Sequence, residues 1–138
     1  MAIDYTGASL LLSAHRRGIP LGHVLTLGRQ HLALTNEMIT SLQRQFAVNL
    51  GEFRGKEGEE RFAEPFLRFL GASDVTSMDF SDYEDSSLCH DLNQPIPDDW
   101  KGRYDCVIDG GTLEHVFNFP CAIRNAMELL RVGGHYFG

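Results

Sequence analysis

YDCVIDGGTLEH, residues 104–115, has the pattern of a buried strand that ends at a glycine pair. Its first half is mostly apolar and β-favouring, and Gly110 and Gly111 then break the strand. In open α/β sheets, ligands lie beyond the carboxyl ends of the strands, and glycine lets a bound molecule approach the backbone closely. The stretch therefore predicts an α/β fold with a ligand site at this junction.

Length and composition predict one domain over residues 1–138. The chain is 43% hydrophobic and 22% charged, which is ordinary for a globular protein. Its formal net charge is −7, and acidic residues crowd into residues 79–85 while basic ones are dispersed. No cluster of basic residues that could bind a phosphate backbone is evident, so nucleic acid is not an expected partner.

The sequence favours a cytoplasmic protein without a metal site. The apolar run at residues 8–14 is too short to span a bilayer and follows Asp4 instead of a basic segment. The cysteines Cys89, Cys106 and Cys121 are odd in number, which predicts free thiols. Their spacing from the histidines lacks the close pairs that bind zinc, so no metal is expected.

Periodicity and breaker residues predict helices alternating with strands. Residues 1–21 hold an N-terminal helix, and residues 22–138 form the α/β core. The predicted helices are residues 7–17, 36–49, 62–70 and 120–130; the predicted strands are 23–27, 75–78, 86–92 and 104–109, with a fifth opening at 135. Residues 51–60 are expected to be an exposed connection.

This alternation implies a mainly parallel sheet with flanking helices. The chain stops as its fifth strand begins, which predicts the front part of a longer domain with an uncovered sheet edge. Pairing of two copies through that edge would hide it, so a homo-oligomer is a possible assembly. The aromatic residues are expected in the core: Phe62, Phe66, Phe69, Phe117 and Phe119.

Three segments resemble class I S-adenosylmethionine-dependent methyltransferases, which have a Rossmann-like fold. YDCVI at 104–108 is similar to that family's fourth strand, and LEHV at 113–116 to the segment that many members carry after it. LLRVGG at 129–134 is similar to the helix end and glycine turn before the fifth strand. The resemblance covers residues 22–138 and implies a Rossmann-like sheet truncated near its fifth strand.

The resemblance also implies where S-adenosyl-L-methionine would bind. The methionine part would lie near Gly28, the ribose hydroxyls on Asp79, and the adenine near Asp91 and Leu92. Asp109, Gly110 and Gly111 would line the floor near the reacting sulfonium. Carboxylates suit these roles because they accept hydrogen bonds from hydroxyl and amino groups.

Each of these residues also has a simpler structural interpretation. Gly28 can simply form a turn, and Asp91 can form an Asx turn. Asp79 can belong to a solvated loop with Asp82, Glu84 and Asp85, which are interpreted as solvated charge. His115 is the weak candidate for a general base, and local structural hydrogen bonding is the favoured role of Glu114 and His115.

The function that follows from the resemblance is transfer of a methyl group to a small-molecule or sugar acceptor. The alternative is a non-catalytic module for ligand binding or assembly, which the single glycine and missing carboxylate at residues 25–30 favour. A nicotinamide-dependent oxidoreductase ranks last, because its phosphate-binding loop requires three glycines. No nucleophile elbow or P-loop motif is present.

Overall fold

The computed structural model describes residues 1–56, 58–82 and 85–138. Glu84, interpreted above as solvated charge, lies outside this part of the chain. The strands are β1 Ala2–Ile3, β2 Gly22–Leu27, β3 His31–Leu32, β4 Ala72–Asp79, β5 Leu88–Cys89, β6 Tyr104–Asp109 and β7 Leu130–Phe137. The helices are α1 Tyr5–Arg16, α2 Asn36–Phe46, α3 Glu64–Phe69 and α4 Phe119–Leu129.

Five strands form one parallel sheet in the order β5-β4-β2-β6-β7. The chain fills one half of the sheet with β2, β4 and β5, then crosses to β6 and β7. This reversal places a topological switch point between β2 and β6, as in doubly wound folds. The predicted Rossmann-like α/β fold is confirmed.

Helices cover both faces of the sheet because its strands alternate apolar side chains between two cores. Val24 of β2 and Cys106 and Ile108 of β6 pack with α1, α2 and α3. Leu25 of β2 and Val107 of β6 face the other way and pack with α4. The central strands are therefore buried on both sides.

Side-chain caps fix where α1, α2 and α4 begin. The carboxylate of Asp4 accepts a hydrogen bond from the Gly7 amide at 2.8 Å, so α1 begins at Tyr5, two residues before the predicted start. Thr35 caps α2 and Asn118 caps α4 in the same way. Ala47 has a left-handed backbone with φ 52°, so α2 ends at Phe46 instead of Asn49.

The fifth strand begins earlier than the sequence predicts. Residues 133–134 were expected as a turn after the helix, yet they lie inside β7 as an irregularity in the pairing with β6. Tyr104 pairs with Leu130 and Cys106 with His135, so β7 carries extra residues there. A side chain at Gly134 would approach the carbonyl oxygens of Arg131 and Asp105 to 3.0 Å, which explains the glycine.

Two further predictions were wrong, and a third has one exception. The described part of residues 51–60 is mostly exposed, but Phe53 ends a short 3-10 helix (Gly51–Phe53) and packs edge-to-face on Phe66 and Phe69. Three of the five aromatic residues expected in the core lie at the surface: Phe62, Phe119 and the fully exposed Phe117. The strand predicted over 86–92 is only two residues long, because β5 pairs with just Met78 and Asp79 at the sheet edge.

A second, two-stranded sheet was not predicted. Strand β1 pairs in parallel with β3, Ala2 opposite His31 and Ile3 opposite Leu32. This pairing draws the N-terminal segment to the carboxyl end of β2. Among the described residues, no helix is both long enough and apolar enough to cross a membrane.

Candidate functional site

The carboxyl ends of four strands bring the predicted site residues to one edge of the sheet. Asp79 is the last residue of β4 and Asp109 the last of β6, while Gly28 directly follows β2 and Asp91 follows β5. Leu27 of β2 pairs with both Met78 and Asp109, which aligns these ends. Gly28, Asp79, Asp91 and Asp109 therefore lie along one rim beside the switch point.

Two of the rim carboxylates each keep one oxygen that accepts no hydrogen bond from residues 1–56, 58–82 or 85–138. Asp79 accepts a hydrogen bond from the Phe80 amide through Oδ1 at 2.7 Å. Asp91 accepts from the backbone and side-chain nitrogens of Asn93 through Oδ1, at 2.9 and 2.8 Å. Within the described part of the chain, the Oδ2 atom of neither aspartate takes a hydrogen bond. Both side chains can therefore accept hydrogen bonds from a ligand.

The surroundings of Asp91 hold it in its ionised form. The hydrogen bonds from the Asn93 backbone and side chain lower the pKa of Asp91 below its ordinary value, and nearby His90 adds a smaller effect in the same direction. The turn at Asp91 is the Asx turn that the simpler interpretation anticipated. This turn still leaves Oδ2 available, so the two interpretations are compatible.

Asp109, in contrast, is fully engaged by the protein. Its Oδ1 accepts hydrogen bonds from the amides of Gly111 and Thr112 at 3.2 and 2.7 Å. Its Oδ2 accepts one from the Tyr136 hydroxyl at 3.2 Å. Burial, followed by the effect of this carboxylate, raises the pKa of Tyr136 to about 12, so the phenol remains a donor at neutral pH. Asp109 fixes the turn at the end of β6.

Gly110 is required by packing inside the protein. A side chain at this position would collide with the amide of Gln30. Gln30 is only 2% exposed, and its Nε2 donates to the Leu27 carbonyl at 2.6 Å. The close backbone approach that the sequence suggested at Gly110 is therefore made by Gln30, and a ligand at this turn would meet the exposed side of Gly111.

Gly28 is buried beneath the N-terminal segment. Its backbone has φ +72°, and a side chain there would collide with the thioether of Met1 and closely approach the Thr112 hydroxyl. Thr112 also donates through Oγ1 to the Leu27 carbonyl at 2.6 Å. Met1 thus occupies the space over Gly28 in which the sequence placed the methionine part of a cofactor.

The remaining predicted site residues are Leu92 and His115. Leu92 is 8% exposed and packs into the core beneath α4, so it presents little surface to a ligand. His115 and Glu114 are both exposed, with His115 Nε2 3.5 Å from Glu114 Oε1. This contact agrees with local pairing, and no described rim residue hydrogen-bonds to the His115 ring.

Asparagines that the sequence analysis did not single out organise the rim loops. Asn125 of α4 is 1% exposed; its Nδ2 donates to the carbonyls of Leu92 and Gln94, and its Oδ1 accepts from the Ile96 amide. Its position on the apolar face of α4 was the signal in the sequence that could have identified it, because a buried polar side chain needs hydrogen-bond partners. Asn93 accepts from the Asn118 amide at 2.8 Å, which joins the loop after β5 to the loop after β6.

A cavity of about 430 Å³ lies beside the glycine pair at the end of β6. Its wall is mainly apolar, and its polar side chains include Asp4, Thr6 and Asp109. The apolar lining residues are Ile3, Leu10, Leu11, Ile108 and Phe137. The volume suits a small molecule next to Gly110 and Gly111.

Metal binding has no geometric support in residues 1–56, 58–82 and 85–138, where no three His, Cys, Asp or Glu side chains converge. Comparison with known protein families, curated proteins and solved structures gave no match to this chain.

Proposed function

We propose that the chain is an S-adenosyl-L-methionine-dependent methyltransferase that modifies a small-molecule acceptor. The strand order with its switch point, the resemblance of residues 104–116 and 129–134, and the position of the rim support this function. The bound cofactor supplies a methyl group activated by its positive sulfur. The protein then needs mainly to orient the acceptor and exclude water, so a catalytic base is not required in every such reaction.

The observation that carries the proposal is the pair of available oxygens at the carboxyl ends of the neighbouring strands β4 and β5. Asp79 Oδ2 can accept from the ribose hydroxyls, and Asp91 Oδ2 from the amino group of the adenine. Parallel neighbouring strands lie about 5 Å apart, so two such carboxylates can contact different parts of one nucleoside. In this arrangement Asp109, Gly110 and Gly111 shape the turn beside the ligand.

The acceptor in this proposal occupies the cavity beside Gly110 and Gly111. The cavity is mainly apolar, which favours a small molecule with an apolar face over a sugar. We further propose a cytoplasmic location, because all three cysteines are free. A homo-oligomer paired through the outer edge of β7 stays a prediction.

The test is titration calorimetry with S-adenosylhomocysteine on the wild type and on Asp79→Asn. Loss of a charged hydrogen bond of about 1–3 kcal/mol predicts affinity weaker by about 5- to 150-fold. Asp82→Asn is the matched control, since it removes the same charge from an exposed residue three positions away. If Asp79→Asn and the wild type bound S-adenosylhomocysteine with equal affinity, Asp79 would belong to the solvated loop and not to the binding site.

A non-catalytic binding or assembly module is the second candidate. The burial of Gly28 under Met1 and the full engagement of Asp109 favour it, because both reduce the surface available to the cofactor. A chain that binds no S-adenosylhomocysteine, even with Met1 replaced by glycine, would leave only this second candidate.

A further inference from the structure

Another cavity of about 630 Å³, here called the α3 cavity, lies against helix α3. Residues of α3, β3, β4 and the 3-10 helix at Gly51–Phe53 line it, and they include both apolar and charged side chains. It shares no lining residue with the cavity beside Gly110 and Gly111. The α3 cavity is therefore a separate site, and what it binds does not depend on the proposed methyltransferase activity.

The fold gathers positive charge at the α3 cavity. Arg29, Arg61 and Arg68 line it together with two glutamates, Glu52 and Glu64. The whole chain, in contrast, has 12 lysines and arginines against 19 aspartates and glutamates. A local excess of positive charge on an acidic protein attracts anions.

The two glutamates oppose an anion only weakly. Glu64 Oε1 accepts a hydrogen bond from Arg29 Nε at 2.8 Å, and Glu64 Oε2 is buried in the wall. Glu64 therefore presents to an entering anion mainly the oxygen that Arg29 already neutralises. Glu52 is exposed, so water and salt screen its charge.

The charges of Arg61 and Arg68 are not neutralised in this way. Arg61 donates to backbone carbonyls, through Nη2 to Leu34 at 2.7 Å and through Nη1 to Phe53. Arg68 is exposed. Within residues 1–56, 58–82 and 85–138, neither guanidinium forms an ion pair, and the buried Arg61 Nε makes no hydrogen bond. A neutral carbonyl does not cancel a charge, so both charges act on the cavity.

The Arg29 guanidinium is held in one orientation beside the cavity. Its central carbon lies 3.6 Å from the centroid of the Phe62 ring, in addition to the ion pair with Glu64. The His31 ring stacks on Phe62 as well, with centroids 4.8 Å apart. These contacts fix Arg29 and Phe62 before a ligand arrives, which lowers the entropy cost of binding.

Apolar side chains form the rest of the wall. Leu32 and Phe53 are buried, Val75 of β4 is half-buried, and all three line the cavity. An apolar group of a ligand can therefore pack against them while a charged group stays near the arginines.

We propose that the α3 cavity binds a small organic anion that has an apolar body. The carboxylate or phosphate of this ligand contacts Arg68, because a guanidinium binds either group through paired N–H donors. The positive charge of Arg61 adds attraction from the wall. The apolar body packs against Leu32, Phe53 and Val75.

Titration calorimetry with benzoate, phenyl phosphate and benzamide tests the requirement for charge. Benzamide has the shape of benzoate without its charge. The better-bound anion should have a dissociation constant of about 1 mM or lower, and benzamide should bind about tenfold more weakly. The comparison of benzoate with phenyl phosphate identifies the preferred charged group. If neither anion binds at concentrations up to about 10 mM, or if benzamide binds as tightly as the better anion, the proposal is overturned.

Arg68→Gln tests whether the anion binds in the α3 cavity. Arg68 is exposed, so the substitution should leave the fold intact. It should weaken binding of the better anion by about fivefold or more, because a charged hydrogen bond is lost. Arg44→Gln is the matched control, since it removes the same charge from an exposed arginine of α2 outside the cavity, and it should change the affinity by less than about twofold. Equal affinity of Arg68→Gln and the wild type would overturn the site, and so would an equal loss in both variants.

Discussion

Replacing Asn125 with alanine should destabilise the protein by about 2–4 kcal/mol, because a buried side chain loses its hydrogen bonds to Leu92, Gln94 and Ile96 and a weak one to the Cys121 sulfur. The Ile96 amide loses its acceptor at 3.2 Å, and Ile96 is 4% exposed. An orphaned buried donor costs about 1–3 kcal/mol. The carbonyls of Leu92 and Gln94 each lose a donor, but Gln94 is exposed and water can replace that bond.

Urea denaturation followed by the fluorescence of Trp100, the single tryptophan, measures this effect. With an m-value of roughly 2 kcal/mol/M, the midpoint should fall by about 1–2 M. Arg124→Ala changes the exposed neighbour on the same helix and should shift the free energy of unfolding by less than about 0.5 kcal/mol. A loss below 1 kcal/mol for Asn125→Ala, at an unchanged m-value, would refute the anchoring role.

The remaining stability predictions concern the sheet. The pKa of Tyr136 is raised to about 12 in the folded protein. Its contribution to stability is therefore complete below pH 10 and is lost as the pH rises towards 12. In urea midpoints measured from about pH 8 to 12, Tyr136→Phe should remove this part of the stability loss at alkaline pH. If the urea midpoints of the wild type and Tyr136→Phe depended equally on pH, the result would contradict the burial of the Tyr136 phenol. Gly22→Ala should cost about 1–3 kcal/mol more than Gly18→Ala in urea titrations. Both glycines have positive φ, but only the first would collide with Asp105, so equal losses would exclude the steric contribution.

The sequence predicted the central strands best because burial on both faces leaves a strong local pattern. Tyr104–Asp109 and Gly22–Leu27 were found within one residue of their bounds. The pairing of β1 with β3 was missed, since two-residue strands carry no periodicity. The early start of β7 was missed because a glycine pair fits a turn and a strand irregularity equally well.

The position of the rim residues was predicted from the topology of the sheet and not from local sequence patterns. Alternating strands and helices were enough to bring Gly28, Asp79, Asp91 and Asp109 to one edge. The sequence did not indicate which carboxylates would be satisfied within the protein, because the partners of Asp109 include Tyr136, 27 residues away. Nor did it indicate that Met1 would reach Gly28, since this contact depends on the pairing of β1 with β3.

Hydrogen bonds between Asn93 and Asn118 join the loop after β5 to the loop after β6, and Asn125 of α4 binds the Leu92 and Gln94 carbonyls of the first loop. The two loops are therefore coupled mechanically. A ligand that orders either loop would also order the other, so binding at one loop would change the dynamics of both. Exchange of one loop between related sequences would break these cross-links. Engineering of this rim should therefore transplant both loops together with the first two turns of α4.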